Sequence, residues 1–423
     1  MSKAGNEFDA IIVGARVAGS AAAIHLGGQG RRVLLIDKAS FPSETISTHI
    51  VSGGGVLALK RLGALDLLDK AGAYRFMHMR MQFDQHDMTG VPRDETRNPV
   101  LGLCLGRYRM DQVMLDCARS IESVSLLEQT RVLDLLVEDG HVVGITAVTG
   151  SEEPHEFRAP LTIGADGMHS VIARLGSERV GAFKGEDTTC ARAYYYAYFE
   201  GVDPKQLDSV LLFKLKSNGE GYIGCRSEAG KTVVAIGFDK AELPEFKENI
   251  EAKFLERTNT RIPHIMKGAR LSSRLFSVGN LLNTYRDPAT DGALLLGDSG
   301  LHVDPLFGQG HSFALLSAEI LGGVAREWFS SGNGKAIKTG LLSEFTRRRD
   351  ALLMPHYYAT VATSRAPAID PMLLAGVHAG ATEQWAADEI VTNAQFMTPP
   401  GKFPTFRLAR LVGSLMKQPA AAT

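Results

Sequence analysis

Three short segments carry residue types suited to holding a phosphorylated ligand, and they stand far apart. They are Gly14-Ala15-Arg16-Val17-Ala18-Gly19, Gly164-Ala165-Asp166-Gly167-Met168-His169-Ser170, and Gly297-Asp298-Ser299-Gly300 with Gly308-Gln309-Gly310 soon after. In a dinucleotide turn, one glycine makes the bend after a strand, a second admits backbone close to the pyrophosphate, and a third lets helix pack on strand. Gly14 and Gly19 hold the first and third places, while Arg16 stands at the second and would set a cation near the pyrophosphate. Free amides and the helix dipole then favour the anion. Asp37, followed by Lys38, ends the next apolar run, about 20 residues on, where an acid meets ribose hydroxyls. Asp166 and Asp298 each follow an apolar run, where a carboxylate can accept from a sugar hydroxyl. Gly308-Gln309-Gly310 opens a helix whose amides can serve another part of a large cofactor. One nucleotide fold with three strand-end sites points to an elongated ligand such as FAD. The alternative for the first segment alone is a glycine turn in some other α/β protein.

The elements that must position these residues follow from periodicity. Phe8 to Val13 and Arg32 to Asp37 read as buried parallel strands around an alanine-rich helix from Val17 to Leu26. A loop from Lys38 to Gly55 precedes a helix over Val56 to Ala71 and a strand over Phe76 to Phe83. Asp111 to Ile121 reads as helix. Val132 to Ile163 reads as three antiparallel strands, the third running straight into Gly164. Thr188 to Phe238 reads as sheet, Ala293 to Leu296 as a buried strand, and a helix begins near Gly310. From about Ser343 the chain reads as helical but broken by prolines. The expected fold class is α/β: a Rossmann-like FAD-binding domain from 1–75, 105–175 and 276–335, an inserted mixed-sheet substrate domain from 76–104 and 176–275, and a C-terminal helical region from 336–423.

The ordered set of a glycine turn, a G-A-D-G-x-x-S element and a G-D element followed by G-Q-G resembles the flavoprotein monooxygenases related to para-hydroxybenzoate hydroxylase. That superfamily also contains flavin halogenases and geranylgeranyl reductases. The resemblance covers Phe8 to about Glu319. It implies that Asp37 holds the adenosine ribose, that Arg107 reaches the cofactor, that Val132 sets backbone near adenine and that Asp298 binds the ribityl chain. Gly308 to Gly310 would lie against the flavin ring. Asp166 and Gly167 would serve both FAD and the pyridine nucleotide. NADPH or NADH would be the reductant and O2 the co-substrate, with a flavin hydroperoxide hydroxylating or epoxidising an apolar, aromatic or other, small molecule. An alkene reductase of the geranylgeranyl reductase type is the alternative, kept open by Asp304-Pro305. A halogenase would carry W-x-W-x-I-P, and neither Trp328 nor Trp385 stands in that setting. A flavin-binding protein acting through partner contacts, without turnover, is a third class.

Other residues read two ways. His49, in the loop after the ribose acid, would orient substrate or merely hydrogen-bond the loop. Tyr194, Tyr196 and Tyr198 share one strand face and would either meet substrate or pack, Tyr196 being the candidate for catalysis. Met77, Met79 and Met81 read as core more readily than as a substrate wall. His302 and His311 flank the loop beside the expected flavin ring. Arg347 to Arg349 reads as a solvated helix face. Phe406 to Met416, with Arg407, Arg410 and Lys417, reads as a docked helix or as a contact with a membrane or partner. The 423 residues carry a formal net charge of -1, so no global field would draw the protein to nucleic acid. Cys104, Cys117, Cys190 and Cys225 lack any paired spacing, which speaks against disulfides and a metal site. With no apolar run of about 18 residues and no apolar leader, a cytoplasmic protein is expected.

Overall fold

The computed structural model describes residues 7–43, 45, 49–150, 152–330, 335–366, 368, 370–399 and 401–417. Its first sheet has six strands in the order Ala289–Thr290, Ala293–Leu295, Thr162–Gly164, Ala10–Val13, Val33–Ile36, Val124–Leu127. All neighbours run parallel except the first pair. Ala10–Val13 and Val33–Ile36 are buried along their whole length, which is why they read as unbroken apolar runs. Ile11, Ile12 and Val13 pair with Thr162, Ile163 and Gly164, so two glycine elements far apart in sequence end side by side.

Helices Val17–Gly27 and Gly310–Ser330 pack on one face of this sheet. Gly19 permits that approach: a Cβ there would stand 1.7 Å from the Gly14 carbonyl oxygen. Helix Arg107–Arg119 packs beside them, starting four residues before the expected Asp111. The expected helix over Val56 to Ala71 is two, Gly53–Leu62 and Leu65–Lys70, because Gly63 takes a left-handed φ of 81° and ends the first.

Three antiparallel strands, Thr130–Glu138, His141–Thr149 and His155–Arg158, cover the opposite side of the sheet. Asp139 and Gly140 make the first turn with φ of 51° and 79°. The expectation of a third hairpin strand running into Gly164 is corrected: it ends at Arg158, and Thr162–Gly164 is a separate strand of the parallel sheet. A short apolar run cannot by periodicity announce which sheet it joins.

The second large sheet has eight strands. Seven lie in the order Arg270–Leu271, Arg192–Glu200, Thr232–Asp239, Gly221–Arg226, Val210–Leu215, His78–Phe83, His86–Gly90, and Phe276–Val278 pairs with Arg192–Glu200. Strand Phe276–Val278 thus belongs to this sheet although 276–335 reads in sequence as nucleotide-domain chain. Along Arg192–Glu200 the side chains alternate: Ala193, Tyr195, Ala197 and Phe199 pack toward Phe246 and Phe254, while Tyr196 packs on the other side with Phe76, Met79 and Met81. Met79 and Met81 are core residues against Met88, Val377, Ala387 and Val391.

Helix Lys335–Ser364 runs through Pro355 without a break, but the expected proline breaks follow it: Pro371 opens the next helix, and Pro399 and Pro404 lie between the last two helices. Arg347 and Arg348 pair with Glu344, but Arg349 is only 2% exposed and lies over the Tyr285 ring. The charge run is therefore not one solvated face, because consecutive helical positions point about 100° apart. Helices Pro371–Thr382, Gln384–Ala394 and Phe406–Leu415 close the chain.

Candidate functional site

A cavity of about 860 Å³ runs from the ends of the parallel strands to the tyrosine face of Arg192–Glu200. That is near the upper end of the roughly 300–1,000 Å³ common for ligand and cofactor sites. Of the residues singled out from sequence, Gly14, Arg16, Ala18, Asp37, Lys38, Arg107, Val132, Asp166, Gly167, Tyr196, Asp298, Gly308, Gln309 and Gly310 all line it. Gly19 and His49 do not; Gly19 acts one layer behind, at the helix–strand contact.

Tight backbone shapes the mouth. Gly14 has φ 103°, and a Cβ there would stand 2.3 Å from the Ala165 carbonyl oxygen. Asp37 closes the same turn. Its Oδ2 accepts from the Ala15 amide at 2.7 Å and its Oδ1 from the Ala39 amide at 2.8 Å. A carboxylate has about four lone-pair positions, so two backbone bonds leave capacity for a ribose.

Beside the N-terminus of helix Val17–Gly27 lies an ion cluster that the sequence reading missed. Asp111 is fully buried and accepts from Arg16 at 2.5 Å and from Arg107 at 3.0 Å. Two guanidiniums share one carboxylate, so the trio carries one net positive charge at the cavity wall. The signal was present as Arg107 and Asp111, spaced i,i+4 at a helix start. Arg16 also donates to Ser43 at 3.0 Å, and its guanidinium stands 5.5 Å over the Phe41 ring.

The two strand-end aspartates differ. Asp166 Oδ1 accepts from Ser170 Oγ at 2.5 Å and from Ser299 Oγ at 3.2 Å, and Oδ2 accepts from the Val171 amide at 2.6 Å. Its carboxylate thus ties a strand end to the N-terminus of helix Val171–Val180. Burial pushes its pKa up, against the opposing pull of these donors. Asp298 accepts no hydrogen bond among the described residues and lines the cavity at the Gly297–Ser299 turn, with its Oδ1 3.8 Å from where a Cβ on Gly310 would stand. Its carboxylate is open to a ligand.

The far end is apolar: Met168, Tyr196, Val278, Leu281, Val303 and Pro305 line it. Tyr194 lines it too, but its hydroxyl donates to Asp304, which also caps the Leu306 amide at 2.9 Å. Asp304 is fully buried, and burial raises its pKa. Two histidines at this end have one nitrogen tied to backbone. His302 Nδ1 donates to the Leu282 carbonyl at 2.5 Å, and His311 Nδ1 to the Ile50 carbonyl at 2.9 Å. Each then offers Nε2 as an acceptor. His311 Nε2 has no partner among the described residues, and burial lowers the pKa of this ring to about 4.

His49 sits behind this wall. It is 3% exposed at φ 62°, its Nδ1 accepts from the Arg107 amide at 3.0 Å and its Nε2 meets the Tyr198 hydroxyl at 2.7 Å. Burial first, then the Arg107 charge, holds it neutral. It joins the polar loop to the start of helix Arg107–Arg119 and to the second sheet.

A model of the FAD binding domain family matches residues 7–324. The chain is 30% identical over 358 residues to "Squalene epoxidase 2, mitochondrial" of Arabidopsis thaliana, covering 81% of this chain and 58% of that protein. It is 28% identical over 331 residues to "Digeranylgeranylglycerophospholipid reductase 2" of Methanothermobacter thermautotrophicus, covering 77% of this chain and 80% of that one. The chain thus spans less than two thirds of the epoxidase and most of the reductase. A flavoprotein/dehydrogenase of Cytophaga hutchinsonii has the same fold, with TM-score 0.79 at 17% identity, covering 97% of this chain and 98% of that one. With the family model spanning the glycine turn, both strand-end aspartates and the Gly308–Gly310 helix start, the chain belongs to the FAD-binding domain family of para-hydroxybenzoate hydroxylase-like flavoproteins.

Proposed function

We propose that the protein is a monooxygenase that hydroxylates or epoxidises an apolar small molecule with NAD(P)H and O2. The observation that carries the reading is the form of the cavity: one continuous space joins the Asp37 turn to an end walled by Met168, Tyr196, Val278, Leu281, Val303 and Pro305. When bound there, FAD supplies the redox chemistry between NAD(P)H and O2.

The chain's own residues bind, orient and exclude water. Asp37 and Lys38 hold the adenosine ribose, with the backbone of Val132 beside the adenine. Arg16 and Arg107, sharing Asp111, face the pyrophosphate at the N-terminus of helix Val17–Gly27, with Gly14 and Ala18 giving close approach. Asp298 takes the ribityl hydroxyls. Gly308, Gln309 and Gly310 would hold the flavin ring, where the N-terminus of Gly310–Ser330 would favour negative charge. Asp166 sets the Asp166-Gly167 turn rather than binding through its own oxygens. At the apolar end, His302 Nε2 and His311 Nε2 are acceptors that orient a substrate or a flavin N–H group.

The names of the relatives agree with an apolar substrate: one is an epoxidase of squalene, the other a reductase of a geranylgeranyl phospholipid. The second supports a competing reading, alkene reduction, because the chain spans 80% of that reductase. Oxygen-electrode assays of the FAD-loaded protein with NADH or NADPH separate the two, with squalene and simple phenols as probes. A probe that stimulates oxygen uptake and gains an oxygen atom supports the monooxygenase. A probe that gains two hydrogens anaerobically overturns it in favour of the reductase.

A further inference from the structure

We infer that the outer face of the C-terminal helix, with the loop before it, is a docking surface for an anionic lipid membrane. Among the described residues, the helix Phe406–Leu415 packs through one face. Leu408, Leu411, Val412 and Leu415 pack with Ala379, Ala386 and Trp385. At 100° per residue, Phe406, Arg410 and Gly413 lie on the opposite face, and Lys417 follows in the turn beyond the helix. Phe406 is 84% exposed, the most of any large apolar side chain among the described residues. Phe403 and Met416, at 37% and 49%, stand at the two ends of the same segment. Three of the eight large apolar side chains that the described structure leaves exposed therefore fall within one short stretch.

Charge settles what would cover such a face. No aspartate or glutamate occurs from residue 390 to the end of the chain, although the whole chain is close to neutral. Lys402, Arg410 and Lys417 are exposed and form no ion pair among the described residues. Arg407 is the exception, lying 3.7 Å over the Trp385 ring. The nearest acids are turned to other tasks. Glu389 accepts from the Thr405 amide and hydroxyl, each at 2.9 Å, and Glu383 accepts from Trp385 Nε1 at 2.8 Å. Aromatic and methionine side chains rimmed by unpaired cations on an amphipathic helix match the boundary between acyl chains and anionic headgroups. The helix lies on the surface rather than crossing it, since no helix of the described structure is long and apolar enough to span. An apolar substrate such as the cavity accepts would itself partition into lipid, but the docking surface stands on the helix alone.

The test is co-sedimentation of the FAD-loaded full chain with vesicles. Neutral phosphatidylcholine vesicles are compared with vesicles in which part is replaced by phosphatidylglycerol, at low and high salt. The expected result is binding to the anionic vesicles that weakens with salt. Arg410→Ser and Lys417→Ser should each lower it about fivefold, and Phe406→Ser about tenfold. All three variants should keep full flavin content and melting temperature, since these side chains face solvent. Any one of three results overturns the proposal: no binding to anionic vesicles at low salt, equal binding to neutral vesicles, or binding unchanged by the substitutions. If Phe406→Ser instead turns a dimer into a monomer while the dimer ignores vesicles, the face is an interface between copies and the lipid assignment is wrong.

Discussion

Asp298 and Asp166 show how much a single carboxylate's partners decide. Both end apolar strands before glycines, yet Asp166 is occupied by Ser170, Val171 and Ser299, while Asp298 accepts nothing among the described residues. Asp298→Ala should therefore weaken FAD binding by about 1–3 kcal/mol, the cost of a lost partner in a buried site, with little change in the stability of the apoprotein. Fluorescence titration of apoprotein with FAD reads the first quantity, and unchanged affinity would remove Asp298 from the site. The buried histidines make a second prediction. Burial lowers His311 and His356 each to about 4 and holds His49 well below its ordinary value. Their folded forms stay neutral while the unfolded chain takes protons below about 6.5. Stability is then fully present above that pH and lost as it falls toward 4, on the order of 1–3 kcal/mol per group. Melting curves from pH 7 to 4.5 should fall steeply, and His356→Gln should flatten the slope. A slope unchanged in that variant would mean that His356 titrates normally.

The elements place these groups through close backbone contacts. Helix Gly53–Leu62 opens with three glycines, and a Cβ on Gly54 would stand 2.8 Å from both Cβ and the carbonyl oxygen of Phe396. Gly54→Val should cost about 1–3 kcal/mol through overpacking, measured as a lower denaturant midpoint at unchanged slope. A wild-type midpoint would show that the contact opens freely. The strand Arg192–Glu200 supplies the other wall. Of its tyrosine face, Tyr194 and Tyr196 line the cavity, Tyr196 stacking on Phe276 at 4.8 Å, whereas Tyr198 turns to His49. Tyr196→Phe should change turnover, or the coupling of NAD(P)H oxidation to product, without releasing FAD. Steady-state assays beside a flavin absorbance spectrum check both parts, and loss of flavin would reassign Tyr196 to cofactor binding.

Across the whole molecule, the cavity belongs to no single segment: its walls come from chain around 13–18, 37–39, 45, 107, 130–133, 165–174, 194–196, 278–281 and 298–314. A ligand filling it bridges both large sheets and stabilises the folded state alone. FAD at about a hundred times its dissociation constant should add about 2.7 kcal/mol to global stability, seen as a rise in melting temperature that grows with FAD concentration. The contacts proposed for FAD are hydrogen bonds and ion pairs, so denaturation should release the flavin to the supernatant. Flavin retained on the precipitated chain would contradict this.

Sequence alone determined what depends on local rules. The glycine turn, the strand-end acids, the helix starting at Gly310 and the two-sided alternation of Arg192–Glu200 are legible because tight turns and periodicity are written in neighbouring residues. Tertiary structure decided what depends on distant partners. It decided that Thr162–Gly164 joins the parallel sheet and Phe276–Val278 the other one, that Arg349 turns inward, and that Met79 and Met81 are core. It also decided that Asp111 takes Arg16 as well as Arg107, and that His49 stands behind the cavity rather than in it. Those outcomes rest on hydrogen bonds and burial between residues separated by tens to hundreds of positions. A strand or a charged side chain carries no local mark of the partner that the fold will bring to it.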